Sequence, residues 1–218
     1  LRHVAVLQAR AGLLDEALET VRWIYPAETR VMAMSDIIGI RHDPDLFTEA
    51  LKIAREIEVE GPRVRALAVL GATRTDPDVF AEALETAYWV QGEHQRDLAL
   101  THITVSQAKA GFFSAAMKTA DHIKSSSARA GALKGIAVAQ AKAELFSEAL
   151  ETARSIETAE ARAPALSAIA GAQAEAGMFS IALGTARSIE DKRERVKALN
   201  TIATRQAEAG LSRSFIPT

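Results

Sequence analysis

The chain of 218 residues contains no cysteine, which excludes a disulfide framework, a thiolate metal site and a cysteine nucleophile, and leaves the compartment open. Long apolar runs are missing as well. Nothing approaches the roughly 18 residues that a membrane-spanning helix needs, and no charged-then-apolar leader precedes the first ordered pattern, so a soluble protein is expected. An excess of one charge is also lacking: 26 basic residues face 28 acidic ones, with a pI near 6.3. No overall field gathers phosphates, which disfavours nucleic acid and anionic membranes as partners. Aromatic residues are few, two Trp, two Tyr and seven Phe, so a core must rest on aliphatic side chains. With 48% hydrophobic and 25% charged residues, the chain is nonetheless a folding one.

What is present is a repeat. Phe146-Ser147-Glu148-Ala149-Leu150-Glu151-Thr152-Ala153-Arg154-Ser155-Ile156 recurs in variant form along the chain, and Ala149 has counterparts at Ala17, Ala50, Ala83, Ala116 and Ala182. Each anchor lies 33 residues from the next. A period held without insertion describes stacked copies of one supersecondary unit, so residues 1–218 are expected to form one helical-repeat domain of about six and a half repeats. Leu1 falls within a repeat, and a piece of a longer chain is expected.

Two apolar stripes with helical spacing fill each repeat, Ala132, Leu133, Ile136 and Ala137 in the first, Phe146, Ala149, Leu150, Ala153 and Ile156 in the second. Each repeat is thus a helical hairpin, its first helix expected near Arg129–Lys142 and its second near Ser147–Glu157. Gly12, Gly111, Gly177 and Gly210 sit where the first helix must close. Asp15, Thr48, Ser114, Ser147 and Ser180 follow as expected caps of the second helix. In two repeats Asp43-Pro44-Asp45 and Asp76-Pro77-Asp78 replace the glycine turn; there proline stops the first helix and glycine is not needed. After Gly210 a further second helix is expected to begin, with Phe215 and Ile216 folding over the last full helix before Pro217. The fold class is all-α: a right-handed α-solenoid of stacked antiparallel hairpins, about 60 Å long at roughly 10 Å per layer.

The pattern Ala-Gly-Phe/Leu-x-x-Ala-Leu, carried by Gly12, Leu14, Asp15, Glu16, Ala17 and Leu18, and the large-then-small pair Ile136–Ala137 resemble the tetratricopeptide repeat over essentially the whole chain. The family's repeat is one residue longer, and its inter-repeat proline and first-helix aromatics are mostly absent here. Other helical-hairpin solenoids stay open. The resemblance implies a non-enzymatic scaffold whose first helices line a concave groove for a peptide or a partner helix. It places Thr101, Val105 and Ala108, then Lys134, Val138 and Ala141, on the groove floor, with Asp43, Asp76, Lys109, Lys142, Glu175 and Glu208 on its rim. Of the family's two-carboxylate clamp only Lys134 and Lys197 have counterparts, while Val138, Ala168 and Thr201 stand at the other positions, so a chaperone C-terminus is not the expected ligand.

Three columns run along the repeats. Arg30, Arg63, Arg96, Arg129, Arg162 and Arg195 stand at the start of each first helix, where a cation opposes the helix dipole. The expected compensation is a bond to the C-terminal carbonyls of the preceding helix, aided by carboxylates such as Glu58, Glu157 and Glu190. Gln8, Gln107, Gln140, Gln173 and Gln206 form a second column, replaced by Arg41 and Arg74 in the proline repeats; backbone satisfaction and ligand binding are both open to it. Trp23 and Trp89 share a third, as a convex contact for a partner or as side chains packed beside Tyr25 and Tyr88. The five histidines form no constellation: His3 and His102 lie about 30 Å apart by the layer spacing, and His42 beside Asp43 has no nucleophile to activate.

No catalytic residue, cofactor or metal is therefore expected. The expected partner is a protein or peptide, with self-association through terminal repeats as an added route. A helical-repeat nucleic-acid binder and a regulatory region of a larger enzyme are the alternatives.

Overall fold

The computed structural model describes residues 1–214, with side chains described as far as Gly210. Thirteen helices and no strand occur among the described residues. They form two compact units, one spanning Leu1–Phe112 and the other beginning at Phe113. The first unit contains α1 (Arg2–Arg10), α2 (Leu14–Arg22), α3 (Ala27–Arg41), α4 (Pro44–Arg55), α5 (Glu60–Arg74), α6 (Pro77–Trp89) and α7 (Glu93–Lys109). Within it α1 packs on α2 and α3, α3 on α4 and α5, and α5 on α6 and α7. The second unit contains α8 (Phe113–Asp121), α9 (Ser126–Lys142), α10 (Phe146–Arg154), α11 (Ala159–Glu175), α12 (Phe179–Arg187) and α13 (Lys192–Ser214). There α9 packs on α8, α10 and α11, and α11 on α12 and α13. Packing in sequence order is that of a helical repeat.

The repeat columns are the core. Ala17, Ala50, Ala83, Ala116, Ala149 and Ala182 are all fully buried, as are Ile37, Leu70, Ile103, Ile136, Ile169 and Ile202 on the first helices. A methyl group at the anchor lets second helices lie close to their neighbours; the branched residue fills the space that remains.

The turns differ in detail from the sequence expectation. Asp15, Thr48, Ser147 and Ser180 lie inside their helices, and the N-cap positions of α2, α10 and α12 are Leu13, Leu145 and Met178, with no side-chain cap bond. The reason is the closure of the preceding helix. Gly12 and Gly177 adopt φ of 85° and 77°, and the next amides, those of Leu13 and Met178, donate to the carbonyls of Gln8 and Gln173 at 2.9 and 2.8 Å. This six-to-one closure puts an apolar residue where a polar cap was expected.

In the proline repeats the left-handed residue persists, carried by His42 (φ 54°) and Thr75 (φ 52°) in place of glycine. Asp43 then accepts from the amides of Asp45 and Leu46, and Asp76 from those of Asp78 and Val79. With proline at the first helical position, α4 and α6 reach 12 and 13 residues against nine for α2.

The first helices also begin earlier than expected. Ser125 and Thr158 accept from the amides of Ala128 and Ala161, and α9 starts at Ser126 rather than Arg129. At the other end of the chain α13 runs through Gly210 to Ser214 as one helix, so the turn expected at Gly210 is not made. Glycine permits the left-handed conformation without imposing it, and inside a helix costs about 1 kcal/mol. Phe215, Ile216 and Pro217 lie outside the described residues.

Glu144 occupies the left-handed position between α9 and α10 at φ 61°, where its Cβ is strained. Glu144→Gly is expected to stabilise the protein by about 1 kcal/mol, read as a higher urea midpoint at unchanged slope.

Candidate functional site

The arginine column turns inward. Each member is the fourth residue of its helix, one turn beyond the free amides, which lessens the conflict with the dipole. Arg30 donates to the carbonyl of Ile24 at 3.2 Å, Arg96 to Val90 at 3.1 Å, Arg162 to Ile156 at 3.2 Å and Arg195 to Ile189 at 3.0 Å. The carbonyls that end one helix are thus closed by the start of the next. The carboxylates named from the sequence are not what assists: Arg129 reaches Asp121 at 2.7 Å, and Arg162 takes the backbone carbonyl of Glu157. Among the described residues Arg63 makes no such carbonyl bond, and its Nε, like that of Arg96, is buried without a partner.

The glutamine column is internal at its middle, with Gln8 half-buried and Gln206 exposed at its ends. Gln107, Gln140 and Gln173 are buried. The hydroxyls of Thr20, Thr152 and Thr185 each donate to the side-chain carbonyl of Gln8, Gln140 and Gln173 at 2.8 Å, tying the two helices of one hairpin together. At the Arg74 replacement the guanidinium lies 5.4 Å over the Phe47 ring instead.

The groove residues read from the resemblance fall on α7 and α9. On α7, Thr101 is half-buried and donates to the carbonyl of Asp97, Val105 is half-buried, Ala108 is 1% exposed and Lys109 is exposed. On α9, Lys134 and Lys142 are exposed, Val138 is half-buried and Ala141 is 2% exposed. Among these positions each helix thus leaves a half-buried valine flanked by lysines or a hydroxyl group, while Ala108 and Ala141 are covered by packing.

Lys134 also lines a cleft of about 480 Å³ in the second unit, between the first turns of α9 and α11. Gly131, Thr158 and Pro164 contribute to it, and sequence reasoning did not name them. Pro164 inside α11 was the available signal, because it has no amide to donate to the carbonyl of Glu160.

Charges on the first helices pair across layers. Arg2 meets Asp36 at 2.8 Å, Arg65 meets Glu28 at 2.9 Å and Arg205 meets Glu175 at 2.8 Å, while Arg205 also holds Glu208 of its own helix at 2.9 Å. Of the acidic rim residues, Asp43 and Asp76 are caps and Glu175 and Glu208 share Arg205. Burial, then the positive charge of Arg65, lowers the His102 pKa from the ordinary 6.5. The unfolded chain therefore takes up this proton first as pH falls, so the contribution is complete above about pH 6.5 and is lost below it. Urea midpoints taken from about pH 7.5 to 5.5 should drop less for His102→Gln than for the unaltered protein.

The tryptophans are not packed away. Trp23 and Trp89 are 76% and 69% exposed, Tyr25 and Tyr88 89% and 54%. Among the described residues no group of three or more His, Asp or Glu is placed to hold a metal ion, and no helix is long and apolar enough to cross a membrane.

No protein-family model and no curated protein matches the chain. Among solved structures, the crystal structure of Ton1535 from Thermococcus onnurineus NA1 is similar, with a TM-score of 0.50 at 14% identity over 93% of this chain and 98% of that one. At that identity the likeness concerns the fold alone.

Proposed function

We propose that this chain is a non-enzymatic protein-interaction scaffold, a right-handed α-solenoid of tetratricopeptide type that takes a peptide or a partner helix along its first helices. One observation carries the reading: the recurrent polar columns serve the fold itself. The arginines close helix ends and the glutamines lock hairpins, so the repeated residues maintain the stack while the exposed first-helix positions differ from layer to layer. Val105 and Val138 are half-buried among such positions, where a ligand's apolar side chains gain roughly 25 cal/mol per Å² before ordering is subtracted.

The test compares the unaltered protein with Val105→Glu/Val138→Glu in affinity capture from the source cell's lysate, with circular dichroism as the folding control. The expected result is a protein partner retained by the first and lost from the second. Equal retention by both forms removes the first-helix surface from consideration. A partner whose binding collapses about a thousandfold between 50 and 200 mM salt would instead identify nucleic acid.

A further inference from the structure

A different surface carries a sharper chemistry. The chain has two tryptophans and two tyrosines in all, and every one lies in the first unit at a turn joining a returning helix to the next first helix. Trp23 and Tyr25 lie in the α2–α3 turn; Tyr88 and Trp89 end α6 just before α7. Because α3, α5 and α7 pack side by side and each follows a returning helix, their first turns lie along one edge. The α4–α5 turn falls between the two aromatic turns, and it is acidic.

That middle turn reads Glu56-Ile57-Glu58-Val59-Glu60. Ile57 is partly buried, while Glu56, Glu58 and Val59 are exposed. Glu56, Glu58 and Glu60 make no ion pair among the described residues, and Arg55 beside them is engaged by Glu82 at 2.8 Å. Three carboxylates thus outnumber the single cation of the next turn, Arg63. Elsewhere the same columns are polar: Trp23 and Trp89 correspond to His122, Ser155 and Ser188 in the second unit. The aromatic character of this edge is therefore not a requirement of the repeat.

Monomeric surfaces seldom hold several large aromatic side chains along one edge without a partner, and Trp and Tyr are the residues that anchor interfaces. The charge between them selects the partner. An indole face attracts a guanidinium or ammonium group, and carboxylates alongside reinforce it; the same carboxylates repel an anionic membrane or a nucleic acid. We propose that this edge, aromatic at both ends and acidic in the middle, binds an extended Arg- or Lys-rich segment of another protein. Two layers at about 10 Å each give a track of about 20 Å, the length of roughly six extended residues.

The two tryptophans report on the site directly, since no others exist in the chain. The first probe is a peptide of six Arg-Gly repeats, with the matching Glu-Gly peptide as control. The Arg-Gly peptide is expected to shift or quench the tryptophan emission, with an affinity that falls as salt rises; the Glu-Gly peptide is expected to do nothing. Anisotropy of a labelled Arg-Gly peptide then measures the variants. Trp23→Ala/Trp89→Ala is expected to weaken binding about tenfold, on the order of two exposed cation–π contacts. Glu56→Gln/Glu58→Gln/Glu60→Gln is expected to weaken it and to flatten the salt dependence. All five side chains are exposed or half-buried, so the variants are expected to fold, with circular dichroism as the check.

Equal binding of the Glu-Gly peptide, or binding unchanged in both variants, overturns the proposal. So does a larger emission shift with phosphatidylcholine vesicles than with the peptide, which would assign the edge to a lipid surface. An emission shift that follows protein concentration alone, without peptide, would assign it to a second copy of the chain and overturn the proposal equally. None of these outcomes depends on Val105 or Val138, so the first-helix reading stands or falls separately.

Discussion

Ile136→Ala is expected to lose about 2–5 kcal/mol of stability, whereas Val4→Ala in the same repeat column loses less than about 1 kcal/mol. Ile136 is fully buried on α9, and truncating it removes three carbon atoms and leaves a cavity that the neighbouring helices fill only in part. Val4 stands at the equivalent position of α1 but is 48% exposed, so much of its surface is in water already. Urea unfolding of both variants checks the contrast. Equal losses at the two sites would mean that column membership, and not burial, sets the energetics.

The second large effect is an asymmetry within a buried pair. Thr152→Val keeps the shape of the side chain but removes the hydroxyl that donates to the Gln140 carbonyl at 2.8 Å. Both residues are buried, 6% exposed each, so the carbonyl oxygen is left without a donor and about 1–3 kcal/mol is lost. In Gln140→Leu/Thr152→Val neither polar group remains, and most of the loss should be recovered. Should the double variant be as unstable as Thr152→Val, the pair is not what links α9 to α10. A double-mutant cycle by urea unfolding, with Gln140→Leu as its fourth corner, gives the coupling directly.

These two predictions rest on different kinds of legibility. The column of Ile136 could be read from spacing because a constant period of 33 superimposes chemically alike residues and helical periodicity assigns them a face. The role of Gln140 could not be read so far. Its recurrence was visible, yet a row of amides suits a ligand or the fold equally, and the choice lies in the hydroxyl twelve residues away on the returning helix. The arginine column lies between these cases: the conflict of a cation with a helix start demanded a carbonyl partner, and the structure supplies it from the residue six positions back. Which carboxylates assist was misread, since only the packing of the turn brings Asp121 to Arg129.

The turns show the same boundary. Gly12 and Gly177 declared themselves because a left-handed residue is disfavoured for any side chain with a Cβ. His42, Thr75 and Glu144 take that conformation without such a signature, and Gly210 stays helical despite carrying it. Local propensity is worth about 1 kcal/mol at such sites, and the packing of the flanking helices outweighs it.

By itself, then, the sequence determined that this chain is all helical, that its hairpins recur every 33 residues, and which stripes are buried, because periodicity and burial of apolar surface are properties of order along the chain. The tertiary structure decided how the polar columns are used, how each helix closes, and that aromatic turns flank an acidic one along a single edge. Those features depend on residues from different helices meeting in space, which no spacing within one helix encodes.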